Sequence, residues 1–161
     1  MNATESVIES FYAGFARRDA QARAACYAPD VKFRDPVFLD LEGPRAVAMW
    51  QMLCGRAADL RIEASNIEAD AERGSAHWEA HYTFTATGRP VHNVIDASFV
   101  FAGGKIAQHV DTFDLYAWSR QALGMKGILL GWTPVVQNAI RKQAARGLDA
   151  FIAKRSAGVA Q

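Results

Sequence analysis

The 161-residue sequence predicts an α+β fold, with a curved antiparallel sheet and helices at both ends, on three observations. Apolar residues recur at helical spacing near the start of the chain and again beyond residue 134. From residue 60 to residue 115 they alternate instead, as strands with one buried face do. Glycine-bearing pairs and triplets punctuate the alternating stretch: Arg73-Gly74, Gly88-Arg89-Pro90 and Gly103-Gly104.

Each element follows from local rules. Thr4 is a helix cap, and Val7, Ile8, Phe11, Tyr12 and Phe15 form one stripe behind it. Arg17-Arg18-Asp19 closes that helix. A short alanine-rich helix spans residues 20–27 and stops at Ala28-Pro29-Asp30, because proline disfavours helix for the residue before it. Residues 31–35 read as a short strand with Val31, Phe33 and Asp35 on one face. Gly43-Pro44 opens a third helix, with Val47, Met49, Trp50, Leu53 and Cys54 on its apolar side and an end near Gly55. Strands follow at residues 60–71, 76–87, 91–102 and 106–115. In the second of these Trp78, Ala80, Tyr82 and Phe84 face one way, while His77, Glu79, His81 and Thr83 face the other. The tail reads as a helix over residues 116–123, a glycine-rich apolar link through Gly127 and Gly131, and a long helix from Thr133-Pro134 to about residue 154. The stripe of that last helix is Val136, Ile140, Ala144, Leu148, Phe151 and Ile152, and residues 156–161 are expected to fray.

Composition narrows the class. Half of the residues are hydrophobic, enough for a core at this length, and the formal charge is +1. Such balance gives no electrostatic footprint for nucleic acid or an anionic membrane. No stretch has the apolar length of a membrane span, and the first residues lack the basic and apolar regions of a secretory signal. Cys26 and Cys54 lack metal-ligand spacing and read as buried, reduced thiols of a cytoplasmic protein. The expected organisation is one domain over residues 1–117 with a helical extension over residues 118–161.

The segment of residues 106–115, IAQHVDTFDL, holds the candidate chemistry. Alternation sets His109, Asp111 and Phe113 on one face. A histidine and an aspartate beside a phenylalanine suit a pocket that needs a polar group in a dry wall. Burial would disfavour the charge of Asp111 and tune it for proton transfer, with His109 two residues away as its partner. The competing reading is that the two simply bond each other or the backbone. Asp35 precedes a proline and also reads as a turn former. Asn93 shares the inward parity of Ile95 and Phe99. No histidine pair has helical metal-motif spacing, so no metal and no cofactor are expected. No serine elbow or phosphate loop is present.

Phe11 to Phe15 with Asp19, Tyr27-Ala28-Pro29-Asp30, Phe33-Arg34-Asp35-Pro36, Gly88-Arg89-Pro90-Val91 and Gly103-Gly104-Lys105-Ile106 through Asp111-Thr112-Phe113-Asp114 together resemble the nuclear transport factor 2-like superfamily, with its SnoaL-like and ketosteroid isomerase-like members. The segment from Trp118, including Gly131-Trp132-Thr133-Pro134, is similar to one bacterial subgroup. The resemblance implies a cone-shaped sheet wrapped by helices, a pocket inside it, and a homodimer formed through the sheet. It aligns Asp35 with the isomerases' general base, and Asp111 with a strand aspartate that polyketide cyclases and limonene-epoxide hydrolases use as acid or base. Trp78, Tyr82, Phe84, Phe99, His109 and Phe113 fall at wall positions, and Tyr12, Phe15, Tyr27, Trp50 and Asn93 complete the expected lining. The sequence also departs from its relatives. Phe11 and Ala97 stand where the isomerases carry their oxyanion pair, and the strand of Trp78 to Phe84 lacks the hydrolases' arginine. The expectation is a small cofactor-independent enzyme doing acid–base chemistry on a hydrophobic molecule. The alternative is a non-catalytic domain for a lipid-like or aromatic ligand.

Overall fold

A computed structural model describes residues 1–56 and 58–159. The chain runs α1 (Ala3–Ala16), α2 (Ala20–Cys26), β1 (Tyr27–Arg34), β2 (Leu41–Glu42), α3 (Pro44–Arg56), β3 (Arg61–Ala69), β4 (Arg73–Phe84), β5 (Arg89–Ala102), β6 (Lys105–Thr112), α4 (Leu115–Leu123), α5 (Met125–Leu130) and α6 (Pro134–Val159). The six strands form one open sheet in the order β2-β1-β6-β5-β4-β3. It is an α+β cone, as expected, but the sheet is mixed: β1 runs parallel to β6 and the other pairs are antiparallel. Local pattern does not reveal that parallel pair, because its strands lie about 75 residues apart in sequence.

Register breaks bend the sheet. The β3–β4 ladder shifts between Ser65 and Glu68, where Asn66 takes φ 51°, and the β5–β6 ladder shifts at Val100/Phe101. The concave side then closes over α1 and α3. Its core gathers Ile8, Phe11, Tyr12 and Phe15 from α1 with Trp50 from α3 and Trp78, Ile95 and Phe99 from the sheet. A smaller cluster of Val91, Leu115, Trp118 and Ala122 joins α4 to the cone's rim.

Several boundaries differ from those expected, each for a local reason. Asn2, not Thr4, caps α1: its side chain accepts from the Glu5 amide, and the Glu5 carboxylate bonds the Asn2 amide in return. The Thr4 hydroxyl instead donates to the Asp70 carbonyl. Tyr27 leaves α2 and starts β1, which therefore includes Pro29. Arg73-Gly74 is not a turn. The Asp70 carboxylate, accepting from the Glu72 and Arg73 amides, makes the turn first. Gly74 lies in β4 because a Cβ there would sit 2.8 Å from the Ile8 side chain and 3.1 Å from Phe101. β6 ends at Thr112 because the Asp114 carboxylate caps α4. The glycine-rich link is helix α5, since Gly127 lets it pack directly on the Ser119 carbonyl. Helix α6 continues to Val159, past the expected fraying point, and residues 160 and 161 lie outside the described part.

Helix α6 settles where the tail goes. Leu148 is buried in the main core, with Phe151 and Ile152 beside it. Arg45 pairs with Asp149 at 3.0 Å, Arg155 donates to Gln51, and the Arg141 Nε donates to the Pro36 carbonyl at 2.9 Å. The helix therefore straps α3 and the loop after β1. Met125, Leu129, Trp132 and Val135 remain exposed on the adjoining corner. Among the described residues, no helix is long and apolar enough to cross a membrane.

Candidate active site

Strand pairing builds the site. Phe33 lies opposite His109 and Arg34 opposite Val110 in the β1–β6 ladder. Asp111 shares the parity of the buried His109 and faces into the cone. Asp35 directly follows β1, is partly buried, and feels the charge of Asp111. On the other side of β6, Ala97 pairs with Asp111 and Phe99 with His109. Ala97 is buried and small, and Asp96 points outward to His77 at 2.9 Å.

Asp111 ends a buried chain of hydrogen bonds. The Trp50 Nε1–H donates to the Tyr27 hydroxyl at 2.7 Å. The Tyr27 hydroxyl lies 2.8 Å from His109 Nδ1, and His109 Nε2 lies 2.8 Å from Asp111 Oδ1. The Trp78 Nε1–H reaches that same oxygen at 3.3 Å. One assignment satisfies every member: the Tyr27 hydroxyl donates to Nδ1 and a neutral His109 donates through Nε2 to a carboxylate. Neither end of the chain then lacks a proton or an acceptor. His109 is fully enclosed, with the rings of Phe11, Phe33, Trp50 and Phe99 packed around it. Asp111 keeps 3% of its surface, and its Oδ2 accepts no hydrogen bond among the described residues.

Arg23, on α2, was not singled out by sequence reasoning. Its guanidinium is buried within about 4 Å of the Phe11, Phe15 and Trp50 ring centres, a three-sided cation–π cage. It makes one long bond, to the Phe11 carbonyl at 3.4 Å. Burial lowers its pKa to about 10, so it stays charged at neutral pH, and the field of Asp111 works in the opposite sense. The cone thus holds a buried guanidinium as well as the buried Asp111, with no ion pair between them among the described residues. A lone arginine in an alanine-rich helix, three residues before the buried Cys26, is the signal that could have marked it.

Asp35 differs from Asp111. It is partly buried, and its Oδ1 accepts from the Val37 amide at 2.7 Å and the Phe38 amide at 2.6 Å. Burial raises its pKa to about 7; the Phe38 bond opposes that, Asp111 adds to it, and the Val37 bond opposes it. Its Oδ2 accepts no bond among the described residues. A carboxyl group poised near neutrality, beside a second carboxylate, is the arrangement acid–base chemistry requires.

The expected lining divides in two. Tyr12, Phe15, Tyr27, Trp50, Trp78 and Phe99 belong to the packed core around Arg23 and His109. Burial holds Tyr12 and Tyr27 protonated. Tyr82 and Phe113 are partly buried and touch both clusters, so they mark the cone's rim near the carboxylates. Phe84 packs on Trp118, whose Nε1–H donates to the Tyr82 hydroxyl at 2.8 Å. Asn93 is inward by register and partly buried. Trp118, Val37 and Phe38, absent from the expected lining, join this rim.

Comparison with known proteins agrees with this architecture. A proposed polyketide cyclase from Pseudomonas putida KT2440 is 26% identical, with 76% of this chain and 98% of that one aligned and a TM-score of 0.63. TerC, co-crystallised with polyporic acid, is 19% identical over 74% of this chain and 98% of its own, with a TM-score of 0.64. An LEH-like epoxide hydrolase from M. tuberculosis is 19% identical over 83% and 95%, with a TM-score of 0.59. No curated protein matches the sequence. The model of the SnoaL-like domain matches residues 8–109. The fold of this chain is also that of an NTF2-like protein from Burkholderia pseudomallei, 20% identical over 71% of this chain and 92% of that one with a TM-score of 0.61. The chain belongs to the SnoaL-like domain family.

Proposed function

We propose that this protein is a small enzyme that moves a proton on a hydrophobic small molecule held at the rim of its cone, in an isomerisation, cyclisation or hydration. The observation that carries the reading is a pair of carboxyls close enough to act on each other, Asp111 buried in the cone wall and Asp35 just past the end of β1 and poised at about 7. Asp35 is the group that gives and takes the proton. Asp111 is the second carboxylate, and its free Oδ2 meets the substrate's polar group. His109 is sealed from solvent and acts as a positioning residue, fixing Asp111 through Nε2 and anchored in turn by Tyr27. Tyr82, Phe113 and Phe84 supply apolar contact. No step requires a cofactor.

A polyporic acid complex and cyclase and epoxide hydrolase descriptions among the structural neighbours support an aromatic or polycyclic substrate class. The test is a panel of enolisable polycyclic ketones and aryl epoxides assayed with wild type, Asp35→Asn and Asp111→Asn. Turnover in the wild type that both variants lose supports the assignment. Turnover that survives both substitutions refutes it.

A second reading is a non-catalytic binding domain, favoured by how completely the aromatic core encloses His109. It predicts that Asp111→Asn binds polyporic acid as the wild type does, and that no substrate turns over. The protein is further proposed to be a cytoplasmic homodimer paired through the outer sheet face. On that face Val94 is 48% and Val110 37% exposed. The free, buried Cys26 of α2 and Cys54 of α3 fit a reducing compartment. Sedimentation velocity at micromolar concentration decides the assembly, and a strict monomer overturns it.

A further inference from the structure

We propose that the outer face of the sheet carries a divalent transition-metal site formed by Glu79, His81 and His92, independent of the carboxyls inside the cone. His81 and His92 are direct partners in the β4–β5 ladder. Their rings stack at 4.0 Å with a 15° tilt. Glu79 lies two residues before His81 on the same strand face, and its Oε1 is 2.6 Å from His92 Nε2. One donor atom from each of the three residues lies within 4.8 Å of the other two. Around a tetrahedral Zn²⁺, bond lengths of 2.0–2.2 Å set donor atoms roughly 3.4 Å apart. Modest side-chain rotation closes that difference, while the paired strands hold the backbone.

The surroundings resemble the outer support of a metal centre. The other Glu79 oxygen is 3.1 Å from His77 Nε2, and His77 Nδ1 is 2.9 Å from Asp96. That Asp96–His77–Glu79 chain orients the carboxylate and leaves Oε1 to the metal. Gln121 of α4 grips the His92 backbone from both sides, accepting from its amide at 2.7 Å and donating to its carbonyl at 3.1 Å. His81 makes no hydrogen bond among the described residues, so its ring nitrogens are free to ligate.

Two histidines and one carboxylate leave a coordination position open. His81 and His92 also help to line a concavity of about 520 Å³. Arg61, opposite His81 in the β3–β4 ladder, lines the same concavity. The fourth ligand this geometry fits is therefore water or a small oxyanion whose charge Arg61 offsets. The site escapes sequence motifs because its ligands come from two strands and are joined by cross-strand register, not by helical spacing.

The experiment is calorimetric titration of the untagged, metal-stripped protein with Zn²⁺, and with Co²⁺ followed by its visible absorption. The expected result is one Zn²⁺ per chain at a Kd of about 10 μM or tighter, with the intense visible bands of four-coordinate Co²⁺. His81→Ala, His92→Ala and Glu79→Gln should each weaken binding by at least about 30-fold, with circular dichroism unchanged. His77→Ala should weaken it by roughly tenfold and keep the 1:1 stoichiometry, as loss of an orienting residue does. Absence of saturable binding below about 1 mM overturns the proposal. So does binding that survives both His81→Ala and His92→Ala.

Discussion

Replacing Asp35 with asparagine should stabilise this protein, and only above the acid range. In the native state the carboxyl titrates at about 7, against an ordinary value of 3.8. Between those values the folded protein holds a proton that the unfolded chain has released. Stability therefore falls as pH rises from about 4 to about 7, and the full cost remains above it. A displacement of about three pH units corresponds to roughly 4 kcal/mol. Asparagine removes the titration but keeps an oxygen that accepts from the Val37 and Phe38 amides. Wild type and Asp35→Asn should then unfold at nearly the same urea midpoint at pH 4. By pH 8 the variant should lead by up to about 4 kcal/mol, or about 10 °C in melting temperature for a chain of this size. Urea titrations at half-unit pH steps read the difference directly. A gap that does not change with pH would refute the reasoning, because it would mean that Asp35 ionises as freely in the fold as in the unfolded chain. Under the proposed function the same variant loses activity, so the substitution exchanges catalysis for stability.

Other outcomes follow from the buried network. Asp111→Asn should lower kcat/KM about 10²–10⁴-fold and destabilise the fold by up to about 3 kcal/mol, because the buried His109 and Trp78 donors lose a charged acceptor; steady-state kinetics and denaturation check both. Tyr27→Phe strands the Trp50 Nε1–H and His109 Nδ1 together, and should cost roughly 2–4 kcal/mol in chemical denaturation. Gly127→Ala would set a Cβ 1.9 Å from the Ser119 carbonyl oxygen, so α5 must lift from α4; a loss of at least about 1–3 kcal/mol is expected from thermal melts.

The facing of the central strand was legible before any coordinates. Period-two alternation puts His109 and Asp111 on one face, and β6 keeps both buried, while Phe113 lies just past its end and is partly buried. The same rule turned His77 outward, and it bonds Asp96 on the outer face. Arg23 was invisible because arginine is rarely buried, and only the meeting of α1, α2 and α3 builds its aromatic cage. Gly74 was misread as a turn because glycine has two uses, and the close approach of Ile8 is a contact between distant parts of the chain.

The sequence by itself determined the elements, the inward faces of the strands and the two acids worth watching, since these depend on spacing and residue type within about ten residues. Tertiary structure decided what surrounds the acids. The parallel pairing of β1 with β6 carries the chain past the strand of Asp111, and burial just beyond β1 raises Asp35 to about 7. It also brought Glu79, His81 and His92 together across β4 and β5. Both groupings come from strand register, which the packing of the whole sheet fixes and no local stretch of sequence encodes.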